Sequence, residues 1–308
     1  MALKEKTILN KRKKGVGLAW IMRDVRAWII MLPMVIIFYL FVWRPTVMGA
    51  WWSFYEMKGY SPQEFIGLKN YIEVMTDTQF PRVMWNTIQY VIWSLVIGYL
   101  PPLAVAMALN EIIYGKSFFR TVIYLPMVIP GVAAMLMWYF IYFPDQTGLL
   151  NQIIMTFGFE PQKWLNDPHL VILLLIIQMT WKGFGGAMLM YFAALQGISV
   201  ELYEAATIDG AGMFKKIRYI TVPQISGVLL LTFVRQIIGV FQVLQEPMTM
   251  TGGGPDGASM SLGYQLYRYG FVSGRAGHAM ALGVIIFAIL ILLTILYNTM
   301  DKRIQENY

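Results

Sequence analysis

The sequence predicts an all-α integral membrane protein with six transmembrane helices and a pair of helices on the cytoplasmic side. Three observations lead to this fold class. Charged residues make up 13% of the 308-residue chain and hydrophobic residues 57%, whereas about 25% of a typical soluble protein is charged. Long tracts with no charge or a single charge recur along the chain. The Lys and Arg residues gather in alternate segments between these tracts.

Six tracts are long enough to cross a bilayer, since a transmembrane helix takes about 17–25 residues. Spans 1 to 6 are residues 27–43, 83–110, 121–144, 170–200, 220–245 and 279–300. Spans 4 and 5 each contain one charge, Lys182 and Arg235 respectively. Proline removes a helical hydrogen bond, so prolines inside spans 2 and 3 predict kinks there. These prolines are Pro101, Pro102, Pro126 and Pro130.

The positive charges predict the orientation, because Lys and Arg near transmembrane helices accumulate on the cytoplasmic side. The amino-terminal segment and the segments that follow spans 2, 4 and 6 carry 15 Lys and Arg residues, against six in the loops after spans 1, 3 and 5, with Arg44 counted at the outer end of span 1. Both termini are therefore predicted to be cytoplasmic. We expect a basic segment at 1–26, one six-helix domain at 27–300 and a tail at 301–308. Span 1 is longer than a usual signal-peptide core, so we expect it to be retained.

The composition excludes several kinds of catalytic and metal chemistry. The chain has no Cys and two His, so it cannot build thiolate nucleophiles, disulfides, Cys-ligated metals or a His-rich metal centre. The fragment Gly115-Lys116-Ser117 lacks the first glycine of a nucleotide-binding P-loop, because Asn110 occupies that position. Serine-hydrolase and zinc-protease motifs do not occur either. We predict no catalytic residue, no metal and no cofactor for this chain, and we do not expect it to be an enzyme.

Residues 199–221, between spans 4 and 5, predict two short helices joined by a bend. Ser199 can cap the first helix, and Gly210 and Gly212 let the chain turn. Apolar residues then recur at helical spacing, at Met213, Phe214 and Ile217. The pair could rest on lipid headgroups or dock a partner. A lipid-seeking helix usually has a basic polar face, so the acidic side chains favour docking; they are Glu201, Glu204 and Asp209.

The spacing Glu-Ala-Ala, three residues, Gly, nine residues and Ile-x-x-Pro runs from residue 204 to residue 223. It resembles the cytoplasmic signature of permease subunits of binding-protein-dependent ABC importers, in the carbohydrate-uptake branch of the maltose and glycerol-phosphate permeases. Val222 stands where Leu is usual. The resemblance extends from about residue 33 to residue 300. It includes segments at 67–71, 86–90, 119–126, 148–151 and 251–255.

The resemblance implies a type I ABC importer permease fold in a bacterial cytoplasmic membrane. The implied partners are a second permease subunit, expected to be a different homologous chain, two cytoplasmic ATPase subunits that bind ATP and Mg, and an external solute-binding protein. Nucleic acid is not among them. The residues implied to contact the ATPase are Glu204, Ala205, Ala206, Asp209, Gly210 and Phe214.

Charges inside transmembrane spans are costly, so Lys182 and Arg235 are candidates for a substrate pathway. Along span 5, Arg235 shares a helical face with other polar residues at steps of seven, four and three, namely Gln242, Glu246 and Thr249. That face could line a pore or hold helices together. Trp181 could support a sugar ring or pack between helices.

The sequence therefore predicts a permease for ATP-driven uptake of a sugar or oligosaccharide. The surplus positive charge of Lys182 and Arg235 favours an anionic, uronate-containing substrate. The main alternative is a secondary transporter or channel that works without ATP. A membrane enzyme is a third alternative, for which the sequence offers no catalytic group.

Overall fold

The computed structural model describes residues 18–306 and divides into two units, one ending at Trp52 and one beginning at Ser53. Residues 1–17 of the predicted basic segment lie outside the described part of the chain. In the first unit, α1 (Leu18–Phe38) continues through a π-helical turn (Tyr39–Trp43) into α2 (Arg44–Trp52). Residues 27–47 are all exposed and mostly apolar. A helix that is apolar all round is typical of a lipid-facing segment, and predicted span 1 lies within it.

The second unit contains three further helices long and apolar enough to cross a membrane. The first is formed by α4 (Phe80–Trp93), a π-helical turn (Ser94–Tyr99) and α5 (Leu100–Glu111). The others are α9 (Val171–Leu195) and the first part of α15 (Ala276–Glu306). The prolines predicted to kink span 2 occupy the first turn of α5, where a missing N–H is tolerated. A π-helical turn lies directly before them, and the span Phe80–Glu111 is not among the bent pairs.

Two predicted spans are bent pairs of helices and not single helices. In span 3, α6 (Lys116–Val128) and α7 (Gly131–Ile141) meet at 95°. Pro130 lacks an N–H, and Ile129 before it is extended with ψ 132°, as a residue preceding proline prefers. The prediction of a kink is confirmed here, although the break is sharper than a kink. With each bent pair counted as one span, the described residues contain up to six spans.

The second bent pair joins the short helices before span 5 to span 5 itself. The segment Met213–Gln224 consists of α11 (Met213–Lys216), a π-helical turn (Ile217–Thr221) and α12 (Val222–Gln224), and it meets α13 (Ser226–Phe241) at 74°. At 1.5 Å per residue, the 16 residues of α13 measure about 24 Å. This helix is shorter than predicted span 5, which ran to residue 245.

Short elements fill the loops that the charges predict to be external. An antiparallel hairpin of β1 (Tyr55–Lys58) and β2 (Ser61–Phe65) departs from the all-α prediction, and its turn uses Gly59 at φ 61°. The helices in these loops are α3 (Lys69–Thr76), α8 (Leu149–Thr156) and α14 (Leu262–Tyr267), with a 3-10 turn at Trp164–Asn166 and π-helical turns at Pro247–Thr251 and Arg268–Val272. Helix α10 (Val200–Ile208) lies in the predicted cytoplasmic loop.

Helix α9 is central to the second unit and packs against α5 and α6. Its Gly185 is required by this packing, because a Cβ there would lie 2.5 Å from Tyr124 Cα in α6. Small residues let membrane helices approach closely. Gly115 has a left-handed φ of 75° and starts the turn into α6, while Lys116 donates a hydrogen bond to Asn110 O at 3.0 Å. The fragment that resembled part of a P-loop is therefore the connection between α5 and α6.

Polar side chains of α4 hold the glycine-rich loop between α13 and α14. Asn86 Nδ2 donates to Gly257 O at 2.8 Å and to Met260 O at 3.0 Å. One residue on, Thr87 Oγ1 accepts from Leu262 N, and one turn later Tyr90 Oη donates to Ser259 O at 2.9 Å. All three side chains are buried. The loop is thus bound to the helix by its backbone.

We predict that the loops around the hairpin and the 3-10 turn are external. Single cysteines at the exposed Ser61 and Asn166 should react with a membrane-impermeant thiol reagent applied from outside, whereas one at the exposed Ser117 should not. The native chain has no Cys to interfere. A cysteine at buried Ser259 is the control for accessibility and should stay unlabelled from both sides. Labelling from outside at Ser117, without labelling at Ser61 and Asn166, would show that the true orientation is the reverse of the predicted one.

Candidate functional site

The bent helix pair α10–α11 is closed by a specific backbone motif. Gly210 follows the end of α10 at φ 73°, a left-handed conformation that glycine adopts at little cost. Gly210 N donates to Thr207 O at 3.0 Å, and Ala211 N donates to Ala206 O at 2.8 Å. These two bonds form a Schellman motif, which satisfies the last carbonyls of a helix. The predicted side-chain cap by Ser199 does not form.

Two side-chain bonds fix the angle between the helices of this pair. Tyr203 Oη lies 2.9 Å from Thr221 Oγ1, and Lys216 Nζ donates to Thr207 Oγ1 at 2.8 Å. Each bond joins α10 to the segment after the bend. The pair is therefore braced at two points in addition to the backbone motif.

Large apolar side chains of this pair are exposed. Ile208 and Phe214 are each 87% exposed and Met213 is 66% exposed. The residues implied to contact an ATPase lie on the same pair, and all are exposed except Ala206, which is half-buried: Glu204, Ala205, Ala206, Asp209, Gly210 and Phe214. A contiguous apolar patch with a polar border is typical of a protein interaction site.

The helix pair is continuous with the bundle through residues 221–226. Thr221 and Ile225 are buried, and Ile225 packs with Met188 and Phe192 of α9. Helix α13 begins at the next residue, Ser226. The helix pair is therefore joined to α13 without an intervening loop.

A cavity of about 530 Å³ lies between α4–α5, α6, α9 and α13. Its polar lining includes Thr180 of α9 together with Arg235 and Gln236 of α13. Thr180 and Gln236 can approach each other here because residue 98 is a glycine. A Cβ at this position would lie 2.9 Å from Gln236 Nε2 and 3.2 Å from Thr180 Oγ1, too close for either group to stay in place. No acidic side chain is among the described residues that line this cavity. Arg235 therefore gives it a positive charge.

The other predicted cation, Lys182, has a structural partner. Lys182 Nζ donates to Ile129 O at 2.6 Å, at the break between α6 and α7. Trp181 packs edge-on against Trp138 of α7, with ring centroids 5.6 Å apart. Neither Lys182 nor Trp181 lines the cavity that contains Arg235. Both side chains of α9 instead hold the second half of the broken span.

The predicted polar face of span 5 is not continuous. Helix α13 ends at Phe241, and Gln242 follows as its exposed cap. Glu246 and Thr249 therefore lie beyond the helix that carries Arg235, and helical spacing does not place them on its face. Glu246 is half-buried and is in neither of the close contacts between basic and acidic side chains of the described residues, which are Lys69–Glu73 and His278–Glu73.

Thr249 lines a second cavity, of about 500 Å³, beside the glycine-rich loop. Its other walls include the aromatic rings of Tyr139 and Phe143 and the amide of Asn166. Aromatic faces combined with hydrogen-bonding groups suit the flat apolar faces and hydroxyls of sugars.

Sequence reasoning missed the uncharged polar residues of the first cavity. Thr180 lies beside Trp181, and Gln236 lies beside Arg235, but single uncharged polar residues in a span are too common to be singled out. Gly98 gave no signal at all, since its role depends on side chains from two other helices.

Comparison with known proteins gives consistent matches. The family described as the inner membrane component of binding-protein-dependent transport systems matches residues 101–306. The probable ABC transporter permease protein YurN of Bacillus subtilis is 35% identical over 276 residues, or 88% of this chain and 94% of the relative. The arabinooligosaccharides transport system permease protein AraP of the same species is 29% identical, covering 86% of this chain and 84% of the relative.

Solved structures match over nearly the whole chain. One belongs to a bacterial ABC transporter involved in the import of the acidic polysaccharide alginate, with a TM-score of 0.82, 25% identity, and coverage of 93% of this chain and 99% of that chain. Another is a bacterial alginate ABC transporter in complex with an alginate pentasaccharide-bound periplasmic protein, with a TM-score of 0.81, 26% identity, and coverage of 92% and 96%.

We predict that Lys182→Met destabilises the protein, because it removes the charged hydrogen bond to Ile129 O at the break between α6 and α7. The expected loss is about 1–2 kcal/mol, seen as a lower thermal midpoint of the purified protein in detergent. Arg235→Met is the matched control, since Arg235 forms no ion pair within the described residues, and its midpoint should stay at the wild-type value. Equal midpoints for Lys182→Met and wild type would show that other contacts hold the break.

Proposed function

This chain belongs to the family of inner membrane components of binding-protein-dependent transport systems, as a permease subunit of a sugar ABC importer with the type I fold, and we propose that it moves an oligosaccharide inward at the expense of ATP. The ATP would be hydrolysed by two separate cytoplasmic subunits. A second, homologous permease chain would complete the pathway, and an external solute-binding protein would deliver the substrate. The observation that carries the proposal is the exposed, braced helix pair joined directly to α13.

The helix pair is suited to transmit movement of an ATPase. Ile208 and Phe214 would enter a groove on the ATPase, with Glu204 and Asp209 at the polar border. The bonds across the pair keep it rigid, and Ile225 passes its displacement to α13. Closure of two ATPases on ATP would thus rock the two permeases between inward-open and outward-open states.

The cavity is suited to an oligosaccharide. Thr180 and Gln236 offer hydrogen-bonding groups for sugar hydroxyls, and Arg235 offers a charge that no lining carboxylate balances. A guanidinium binds a carboxylate through two charge-assisted hydrogen bonds, so we infer that the transported sugar is anionic. A similar protein acts in alginate import. The cavity beside Thr249 would hold sugar units nearer the outer side.

Family membership argues against the alternative of an ATP-independent transporter or channel. The two possibilities differ in the energy source. Uptake by proteoliposomes that contain the assembled complex should require ATP on the ATPase side and should not respond to an ion gradient alone. Gradient-driven uptake without ATP would refute the proposal.

We predict that Gly210→Ala uncouples transport. A non-glycine residue in the left-handed conformation costs about 1–2 kcal/mol, so the Schellman bend at φ 73° should open and the helix pair should lose its shape. ATP-driven uptake should fall about fivefold or more, together with the amount of ATPase that co-purifies.

Gly212→Ala is the matched control for this experiment. Gly212 lies two residues away at φ −69°, an ordinary conformation, and nothing lies within 4 Å of the Cβ that alanine would add. This variant should behave as wild type. Unimpaired uptake by Gly210→Ala would contradict the coupling role of the bend.

We predict that Arg235 selects for acidic sugars. Arg235→Gln keeps a hydrogen-bonding side chain but removes the charge from the cavity, so uptake of uronate-containing oligosaccharides should fall about tenfold more than uptake of neutral ones of equal length. Gln236→Leu is the comparison variant and should lower both classes alike. An equal loss for both classes in Arg235→Gln would remove the case for an anionic substrate.

A further inference from the structure

A small basic pocket lies on the side of the bundle where α4 begins, which the charges predict to be external. It has a volume of about 250 Å³ and lies between the first turn of α4, the glycine-rich loop and the π-helical turn after α14. Arg82 and Arg268 line it, together with Gln79 and a single acidic residue, Asp256. Arg82 is exposed and Arg268 is half-exposed. Nothing in the transport cycle proposed above uses this pocket.

The two guanidinium groups of this pocket are not neutralised. Within the described part of the chain, Lys69 forms an ion pair with Glu73, and His278, which is charged only when protonated, also lies against Glu73; neither arginine is in such a pair. One carboxylate therefore faces two positive charges. The pocket has room for one more carboxylate, which a guanidinium binds through parallel hydrogen bonds.

In a neighbouring group of outer residues, each acidic side chain has a hydrogen-bonding partner. His278 Nε2 lies 3.0 Å from Glu73 Oε2, and Tyr269 Oη donates to Asp77 Oδ2 at 2.7 Å. Burial, and after it this bond to Asp77, raises the pKa of Tyr269 further above neutral pH. These groups satisfy one another, whereas the arginines of the basic pocket do not.

The wall of the basic pocket is held in shape before any ligand arrives. Gly252 and Gly257 adopt left-handed φ angles of 58° and 77°, and the backbone around them is fixed by the bonds from Asn86 and Tyr90 of α4. Ser259 Oγ adds a bond to Gly254 O at 2.8 Å. A site that needs no reordering loses little entropy when it binds a partner.

The residues that line the basic pocket favour a carboxylate of a protein side chain over a carboxylate of a sugar. No aromatic residue is among the described residues that line the basic pocket, and its volume is about half that of the cavity that contains Arg235. A sugar ring would find no flat surface there. A single Asp or Glu side chain fits both the size and the exposed position.

We propose that Arg82 and Arg268 form a docking pocket for an acidic side chain of the external solute-binding protein. The identity of this partner rests on the proposed function. The pocket aligns the binding protein beside the glycine-rich loop, whose other face lines the cavity that contains Thr249. Docking and the entry of sugar would then share one rigid wall.

The test measures how much solute-binding protein is needed to stimulate ATP hydrolysis by the complete complex in proteoliposomes. The probe is the binding protein that stimulates the wild-type complex. Arg82→Glu and Arg268→Glu should each raise its half-maximal concentration about tenfold at low salt, and less at high salt, because exposed charges are screened. Asp256→Asn should lower that concentration, since it removes the competing charge, and Asn tolerates the φ of 47° at this position.

Lys163→Glu is the matched control, because it makes the same change of charge at an exposed residue that does not line the pocket. It should leave the half-maximal concentration unchanged. Co-purification of the ATPases checks that every variant assembles. Unchanged half-maximal concentrations in both arginine variants would overturn the docking pocket, as would an effect of equal size in Lys163→Glu. A wild-type complex that no binding protein stimulates would instead overturn the proposed function.

Two further measurements address the pocket itself. If Arg82→Glu weakened stimulation only when the binding protein carried an acidic oligosaccharide, the pocket would hold the sugar and the docking assignment would be wrong. In the Cys-free chain, a single cysteine at Gln79 should react faster with an anionic methanethiosulfonate than with a cationic one. Arg82→Gln should reduce this preference, and its absence in the wild-type background would contradict the unbalanced positive charge.

Discussion

Every backbone amide and carbonyl within a membrane needs a partner from the protein itself, and this chain interrupts its helices where that demand is hardest to meet. Lys182 meets it at the break between α6 and α7 by binding Ile129 O. Asn86 and Tyr90 do the same for the glycine-rich loop, on the side predicted to be external, by donating to its backbone carbonyls. The glycine-rich loop lines the cavity that contains Thr249, so the shape of that cavity depends on the buried side chains of Asn86 and Tyr90.

The same constraint explains which parts of the fold the sequence could predict. Hydropathy locates apolar tracts whatever their partners, so it located the helices and, from Pro130, the kink in span 3. It could not predict that α13 ends at Phe241, because the only nearby glycine, Gly239, lies inside the last turn and the residues after the end carry no stop signal. The spacing argument from Arg235 to Thr249 assumed one continuous helix and was wrong for that reason.

For the candidate site, local signals succeeded and long-range signals failed. The two short helices and the turn at Gly210 were predictable because helical spacing and glycine conformation act within a few residues, although the side-chain cap predicted at Ser199 does not form. The two intramembrane cations looked equivalent in sequence, yet Lys182 binds a backbone carbonyl and Arg235 lines a cavity. Only the positions of other helices distinguish them. Arg82 and Arg268 likewise come together only through the fold.

The π-helical turn Ser94–Tyr99 in the middle of the α4–α5 span has a consequence for the register of that helix. A π turn holds one residue more than the α-helix it replaces, and each residue advances a helix by about 100°. That surplus residue sets the rotational phase of α5 relative to α4. It lets Asn86 and Tyr90 face the glycine-rich loop while Ala106 and Leu109 face α9. Deleting one residue here would preserve the hydrophobic length and turn one of the two faces away.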